Sequence, residues 1–180
     1  MMKKSLIICV LLLMAGLTGV SAQSIQGKWK STGAIKKALA EGYGSGGSGD
    51  FFLTIGERDI SIAIVVKYVE SELTLDLEFS TNGTYTRSGN EMKAEVGDRL
   101  DFKILDIQSS NPELKPVLAV PALKAQTIKM VEEEMRKKDD MPDFKDVKDT
   151  FSKFTILSVT LRELKLKVDN IEEPFEYVGR

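Results

Sequence analysis

The sequence predicts a mainly β protein built as an antiparallel barrel or sandwich. Between residues 73 and 80, leucine or phenylalanine occupies every second position and a polar residue occupies the others. A period of two indicates a strand with one buried face and one solvated face. From Asp50 onward, seven or more short segments rich in β-branched and aromatic residues are separated by turn residues. That arrangement is typical of closed antiparallel folds.

The N-terminal residues form a predicted secretory signal peptide. Lys3 and Lys4 precede an apolar run at 6–14, and small residues end at Ala22. The run is shorter than the roughly 20 apolar residues that a spanning helix needs. We therefore expect a leader at 1–22 and one domain at 23–180, periplasmic or secreted and not membrane-spanning after cleavage; an uncleaved anchor is the alternative.

Composition excludes several kinds of chemistry. The chain has no histidine, and its one cysteine, Cys9, lies in the leader. Thiolate nucleophiles, disulfides and imidazole acid–base catalysis are therefore not expected in the mature domain. The net charge is −2 with both signs interspersed, which does not favour nucleic acid as a partner. We expect no enzyme activity, no cofactor and no metal.

The first third of the mature chain combines a strand, a helix and a flexible loop. Residues 25–31 carry the only tryptophan and predict a strand, and 32–41 predict a short helix. The glycine-rich residues 42–49 predict a loop, since they lack the Gly-Lys-Ser/Thr ending of a phosphate cradle. Residues 51–55 predict the next strand.

The middle of the chain predicts a series of strands. Residues 60–69 are apolar on both faces; a buried helix is possible, but their isoleucine and valine content favours a strand. Asn82-Gly83 follows the alternating strand and predicts a type I′ hairpin turn. Asn82-Gly83-Thr84 is also a glycosylation sequon, although the turn alone explains these residues.

The rest of the chain predicts two further pairs of elements. Residues 92–96 and 99–107 predict a hairpin around Gly97-Asp98, and 108–120 predict a connection. A helix is predicted from Pro121 to about Lys138. The acid-rich residues 139–143 lack the spacing of a calcium loop and predict a solvated loop. Residues 154–160 and 164–168 predict a strand pair, and one more strand is expected around Phe175 and Tyr177.

Three short motifs resemble those of lipocalins. Gly27-Lys28-Trp29 is similar to the Gly-x-Trp signature, in which the tryptophan closes one end of the barrel. Residues 79–85 resemble a hairpin of small secreted lipocalin-like proteins from Gram-negative bacteria. Residues 154–160 with 164–166 resemble their closing strands. The resemblance implies a lipocalin-like (calycin-type) antiparallel β-barrel with one or two helical insertions.

The sequence departs from the lipocalin pattern in two ways. It has no clear match to the second lipocalin signature, a Thr-Asp pair before an aromatic residue. A basic residue of the final strand packs over the tryptophan in that family, and Lys165, Lys167 and Arg180 are all candidates for it here. The 42–49 loop and the 121–138 helix would be the insertions.

The resemblance also implies binding of a hydrophobic small molecule or lipid within the barrel. The candidate lining residues are Leu75, Leu77, Phe79, Tyr85, Phe102, Ile104, Phe154, Ile156 and Leu166. The alternative is that these side chains fill the barrel, because eight-stranded barrels are just wide enough to be filled by their own residues.

A filled barrel would favour a different class of function. The chain would then be a cell-envelope interaction or inhibitor protein acting through its outer surface, with the 42–49 loop and the 121–138 helix as contact elements. An enzyme would need a pair of facing carboxylates, roughly 5–5.5 Å apart in retaining glycosidases, and no spacing in the sequence singles out two such acids.

Overall fold

Eight strands form a closed antiparallel ring. The computed structural model describes residues 24–42, 48–97, 100–137 and 145–179. Its strands are β1 (Gly27–Ser31), β2 (Ser48–Ile55), β3 (Asp59–Glu70), β4 (Leu73–Ser88), β5 (Glu91–Val96), β7 (Lys153–Val159), β8 (Glu163–Val168) and β9 (Ile171–Gly179). Each strand pairs with the next one in this order, and β9 pairs with β1 to close the ring. The predicted mainly β, barrel-type fold is therefore confirmed.

A ninth strand, β6 (Asp101–Ser109), continues along β4 beyond the end of β5. The second half of β4 pairs with β5 and its first half pairs with β6. The predicted hairpin between 92–96 and 99–107 is therefore wrong, because both segments pair with the same neighbour instead of with each other. The alternation of apolar and polar residues along a strand indicates which face is buried, but it does not indicate which strand is the hydrogen-bonded neighbour.

The predicted turn at Asn82-Gly83 is also wrong. Both residues lie inside β4, and the chain reverses at Gly89-Asn90, where Gly89 has a φ of 61°. Gly83 is needed for a close backbone approach: a Cβ there would lie 2.2 Å from the Glu95 carbonyl oxygen and 2.7 Å from the Val96 Cα. The glycine thus lets β5 approach β4 at the point where β4 changes partners.

Gly83→Ala is expected to destabilise the barrel by about 1–3 kcal/mol, the usual cost of forcing an extra carbon into a packed site. The obstructing atoms are backbone, so they cannot rotate away. Urea unfolding followed by circular dichroism measures the change. Thr84→Ala, at an exposed neighbouring position, is the control; equal stabilities of the two variants would contradict the close-approach explanation.

Four helices are described: α1 (Ala34–Gly42), α2 (Leu114–Leu118), α3 (Pro121–Lys137) and α4 (Lys145–Thr150). α1 and α3 match the predicted helices. α2 lies within residues 108–120, which the sequence predicts as a connection, and α4 comes shortly before β7. None of the helices within the described residues is long and apolar enough to cross a membrane.

Several sequence predictions lie outside the described residues. They are the signal peptide at 1–22, most of the glycine-rich loop, the second residue of the predicted Gly97-Asp98 turn, the acidic loop at 139–143, and Arg180.

Trp29 contacts both the residues before β1 and the last strand, β9. It is buried, its Nε1 donates to the Ile25 carbonyl oxygen at 2.8 Å, and the Tyr177 ring meets it edge-on at 5.2 Å. Lys165 and Lys167 lie on the exposed face of β8, and Lys165 pairs with Glu172 at 2.5 Å. Neither of these lysines therefore covers the tryptophan, and an aromatic residue of β9 contacts it instead.

A buried carboxylate joins β9 to the start of α1. Glu173 is 0% exposed and accepts hydrogen bonds from the Ser31 hydroxyl at 2.5 Å and from the backbone N–H groups of Gly33, Ala34 and Ile35 at 2.9–3.3 Å. The first N–H groups of a helix have no intrahelical partner and favour a negative charge. Glu173 therefore caps α1 from a strand 140 residues away.

Candidate binding site

The nine predicted lining residues lie on four strands. Leu75, Leu77, Phe79 and Tyr85 belong to β4, Phe102 and Ile104 to β6, Phe154 and Ile156 to β7, and Leu166 to β8. Leu77 is in register with Ile104, and the rings of Phe79 and Phe102 lie 5.3 Å apart. The structure therefore brings these residues to the inner face of one side of the barrel.

Eight of the nine side chains are covered by protein atoms. All except Tyr85 have exposures between 0 and 8%. The wall of an open cavity would instead present exposed apolar surface when no ligand is bound. This geometry agrees with the filled-core alternative.

Tyr85 lies at the rim instead of within the core. It is half-buried, and its hydroxyl donates to the carbonyl oxygens of Gly56 at 2.9 Å or Glu57 at 3.1 Å. Partial burial raises the pKa of the Tyr85 phenol above its usual value, and the carboxylates of Asp59 and Glu57 act in the same direction. Tyr85 therefore ties β4 to the β2–β3 turn as a neutral donor.

Three aromatic residues outside the predicted lining set, Phe51, Phe151 and Phe175, also pack in the buried core. Phe151, in the turn before β7, stacks on Phe51 of β2 at 4.8 Å and meets Phe154 edge-on at 6.4 Å. Phe51 also contacts Phe175 at 6.3 Å. Phe151 follows no strand alternation, so no periodic signal could have identified it as a core residue.

Helix α3 covers the edge of β6 that faces away from β4. The Glu132 carboxylate accepts from the Ile104 N–H at 2.6 Å, and the Arg136 guanidinium donates to the Phe102 carbonyl oxygen at 2.5 Å. Ile128, Val131 and Met135 pack against the core. The roles of Glu132 and Arg136 were missed, because exposed charges on a helix ordinarily indicate a solvated face.

A third polar contact joins α3 to β6. Lys124 pairs with Asp106, and this contact, helped by a hydrogen bond from the Gln108 side chain, lowers the pKa of the Asp106 carboxyl below its usual value. The helix is therefore held to the strand by polar contacts at three successive levels.

Residues 114–130, which hold α2, α3 and their junction, contain more exposed large apolar residues than any other segment of that length in the described part of the chain. Five such residues between positions 114 and 130 are 39–52% exposed: Leu114, Val117, Val120, Leu123 and Met130. Leu105, the extra residue at a β-bulge in β6, adds a sixth. We call these six residues the α2–α3 apolar surface.

Comparisons with known proteins add no family to this description. No family model matches the chain, and a search of curated proteins found no similar sequence. Within the part of the chain that the structure describes, no group of three or more acidic residues is placed to hold a metal ion. The proposal below is therefore supported by the geometry of the barrel and its helices.

Proposed function

We propose that this chain is an exported, lipocalin-like interaction protein that works through its outer surface and performs no catalysis. Its partner is a protein of the cell envelope, and the contact elements are α2 and α3. The closed barrel serves as the rigid scaffold that presents these helices.

One contrast carries this proposal. Eight of the predicted lining residues are at most 8% exposed, whereas five large apolar residues of the 114–130 segment are at least 39% exposed. Apolar surface removed from water is the main source of association free energy. Such surface is available outside the barrel and scarce inside it, which favours an outer contact over a buried ligand.

A second candidate function is binding of a hydrophobic small molecule or lipid within the barrel. The observation that favours it is the outer edge of β6, which lies outside the closed ring and, among the described residues, is covered by α3 instead of by a strand. Lifting α3 would give an apolar molecule access to Phe102 and Ile104 without breaking any strand pairing.

Native mass spectrometry of the protein purified from its own host separates the two functions. The proposal expects a chain free of small molecules and a co-purifying envelope protein. An apolar molecule bound in stoichiometric amount would contradict it and support the second candidate.

Matched variants then test the contact surface. Leu123→Ser combined with Met130→Ser is expected to weaken capture of the envelope protein at least about tenfold, since truncating a hot-spot residue at the centre of a contact costs about 2 kcal/mol or more and about 1.4 kcal/mol is tenfold. Leu161→Ser is the control, because Leu161 is 82% exposed in the β7–β8 turn. Equal loss in both variants would contradict a contact through α2 and α3.

A further inference from the structure

The outer edge of β6 has backbone groups that a neighbouring strand would normally bind. β6 pairs with β4 on one side, and no strand within the described residues pairs with it on the other. The Ile104 N–H and the Phe102 carbonyl point to that side, because both bond to α3. Unpaired strand edges are ready sites for pairing with another chain.

Glu132 and Arg136 supply the groups that two residues of a missing antiparallel strand would supply. The carboxylate supplies the acceptor for Ile104 and the guanidinium supplies the donor for Phe102. Residues four apart on a helix share a face and are separated by about 6 Å along its axis. Both strand groups lie on the same edge of β6, so one face of α3 reaches both of them.

The helix that carries this pair is only partly buried. None of residues 121–136 is buried, and the apolar contacts come from half-buried side chains. The charge-assisted hydrogen bonds of Glu132 and Arg136 are therefore a large share of what keeps α3 on β6.

The edge that α3 covers is complementary to itself. If two copies pair antiparallel about Lys103, the Ile104 N–H of each copy faces the Phe102 carbonyl of the other. We propose that Glu132 and Arg136 act as an edge guard that prevents a second copy of this chain from pairing through β6. The guard keeps the exported protein monomeric, and loss of the guard permits β6–β6 association.

A single engineered thiol tests this geometry. Lys103 is exposed on β6 and would face its own copy across the two-fold axis. Opposed residues of that kind have Cα atoms about 4.5 Å apart, within the range that a disulfide spans. Lys103→Cys is made in the full chain with Cys9→Ser, so that position 103 carries the sole thiol.

The guard is removed with Glu132→Ala and Arg136→Ala. We expect oxidation to give at least about tenfold more disulfide-linked dimer than in the intact-guard protein, because two charge-assisted hydrogen bonds are lost. Lys129→Ala with Glu133→Ala is the matched control, with the same charges and spacing on an exposed part of α3. It should leave dimer formation unchanged.

The position of the thiol supplies a second control. Lys93→Cys, exposed on β5, should not cross-link in any background, because β5 already pairs on both edges. Equal cross-linking at 93 and 103, or no increase when the guard is removed, would overturn the proposal. If circular dichroism shows that the alanine pair unfolds the barrel, Arg136→Met alone is tested, because methionine keeps the apolar stem and removes the donor, and a folded variant without dimers overturns the proposal equally.

Discussion

Glu173→Ala is expected to lower the free energy of unfolding by about 3 kcal/mol or more, which is typical when the partner of several buried polar groups is removed. The variant would leave the Ser31 hydroxyl and three N–H groups at the start of α1 without their acceptor. Urea unfolding monitored by Trp29 fluorescence measures the loss, since the tryptophan lies on β1 two residues before Ser31.

The adjacent acid provides the control for Glu173. Glu172→Ala removes the same side chain from an exposed position paired with Lys165, and an exposed ion pair adds little to stability because water and salt screen it. Glu173→Gln should fall between the two alanine variants, because one amide oxygen still accepts hydrogen bonds but the negative charge is lost. A Glu173→Ala protein as stable as Glu172→Ala would contradict the capping role.

The sequence predicted the strands of this protein well because the alternation of apolar and polar residues is a local property. Most of the predicted strands are found at nearly the predicted bounds, among them β3, β7 and β8, whereas β4 continues through the predicted turn to Ser88. Each of them places one side in the core, and this requirement alone creates the period of two.

The partners of those strands could not be predicted in the same way. Asn82-Gly83 has the composition of a hairpin turn, yet Gly83 is present because β5 passes too close for a side chain. The sequence does not distinguish a glycine that bends the chain from one that admits a neighbouring backbone. For the same reason the sequence predicts that β5 pairs with β6, whereas in the structure β5 pairs with β4.

The polar residues of the structure were missed for a related reason. Glu173 lies two residues before Phe175 and shares its inward face, but a glutamate on such a face is ordinarily interpreted as exposed. Its burial depends on helix N–H groups that lie 140 residues earlier. Glu132 and Arg136 likewise acquire their roles only when α3 lies on β6. Long-range contacts of this kind leave no periodic signal in the chain.

Phe151→Ala is expected to destabilise the barrel by about 3–5 kcal/mol, the usual range for deleting a buried aromatic ring. Phe151 is 2% exposed and contacts both Phe51 and Phe154, so neighbouring side chains cannot easily close the space that it leaves. Leu161→Ala, at an 82% exposed turn position, should change the free energy by no more than about 0.5 kcal/mol. Calorimetry of both variants gives the comparison.

The same variant distinguishes a filled barrel from a hollow one. A cavity lined by apolar side chains stays dry and binds small apolar molecules such as benzene. If Phe151 fills the centre, benzene should raise the melting temperature of Phe151→Ala and leave the intact protein unchanged, since a ligand stabilises only a fold that binds it. A similar rise in both proteins would mean that the intact barrel already holds open apolar space. That result would favour a buried ligand over the outer-surface contact, because the contrast between interior and exterior apolar surface would no longer hold.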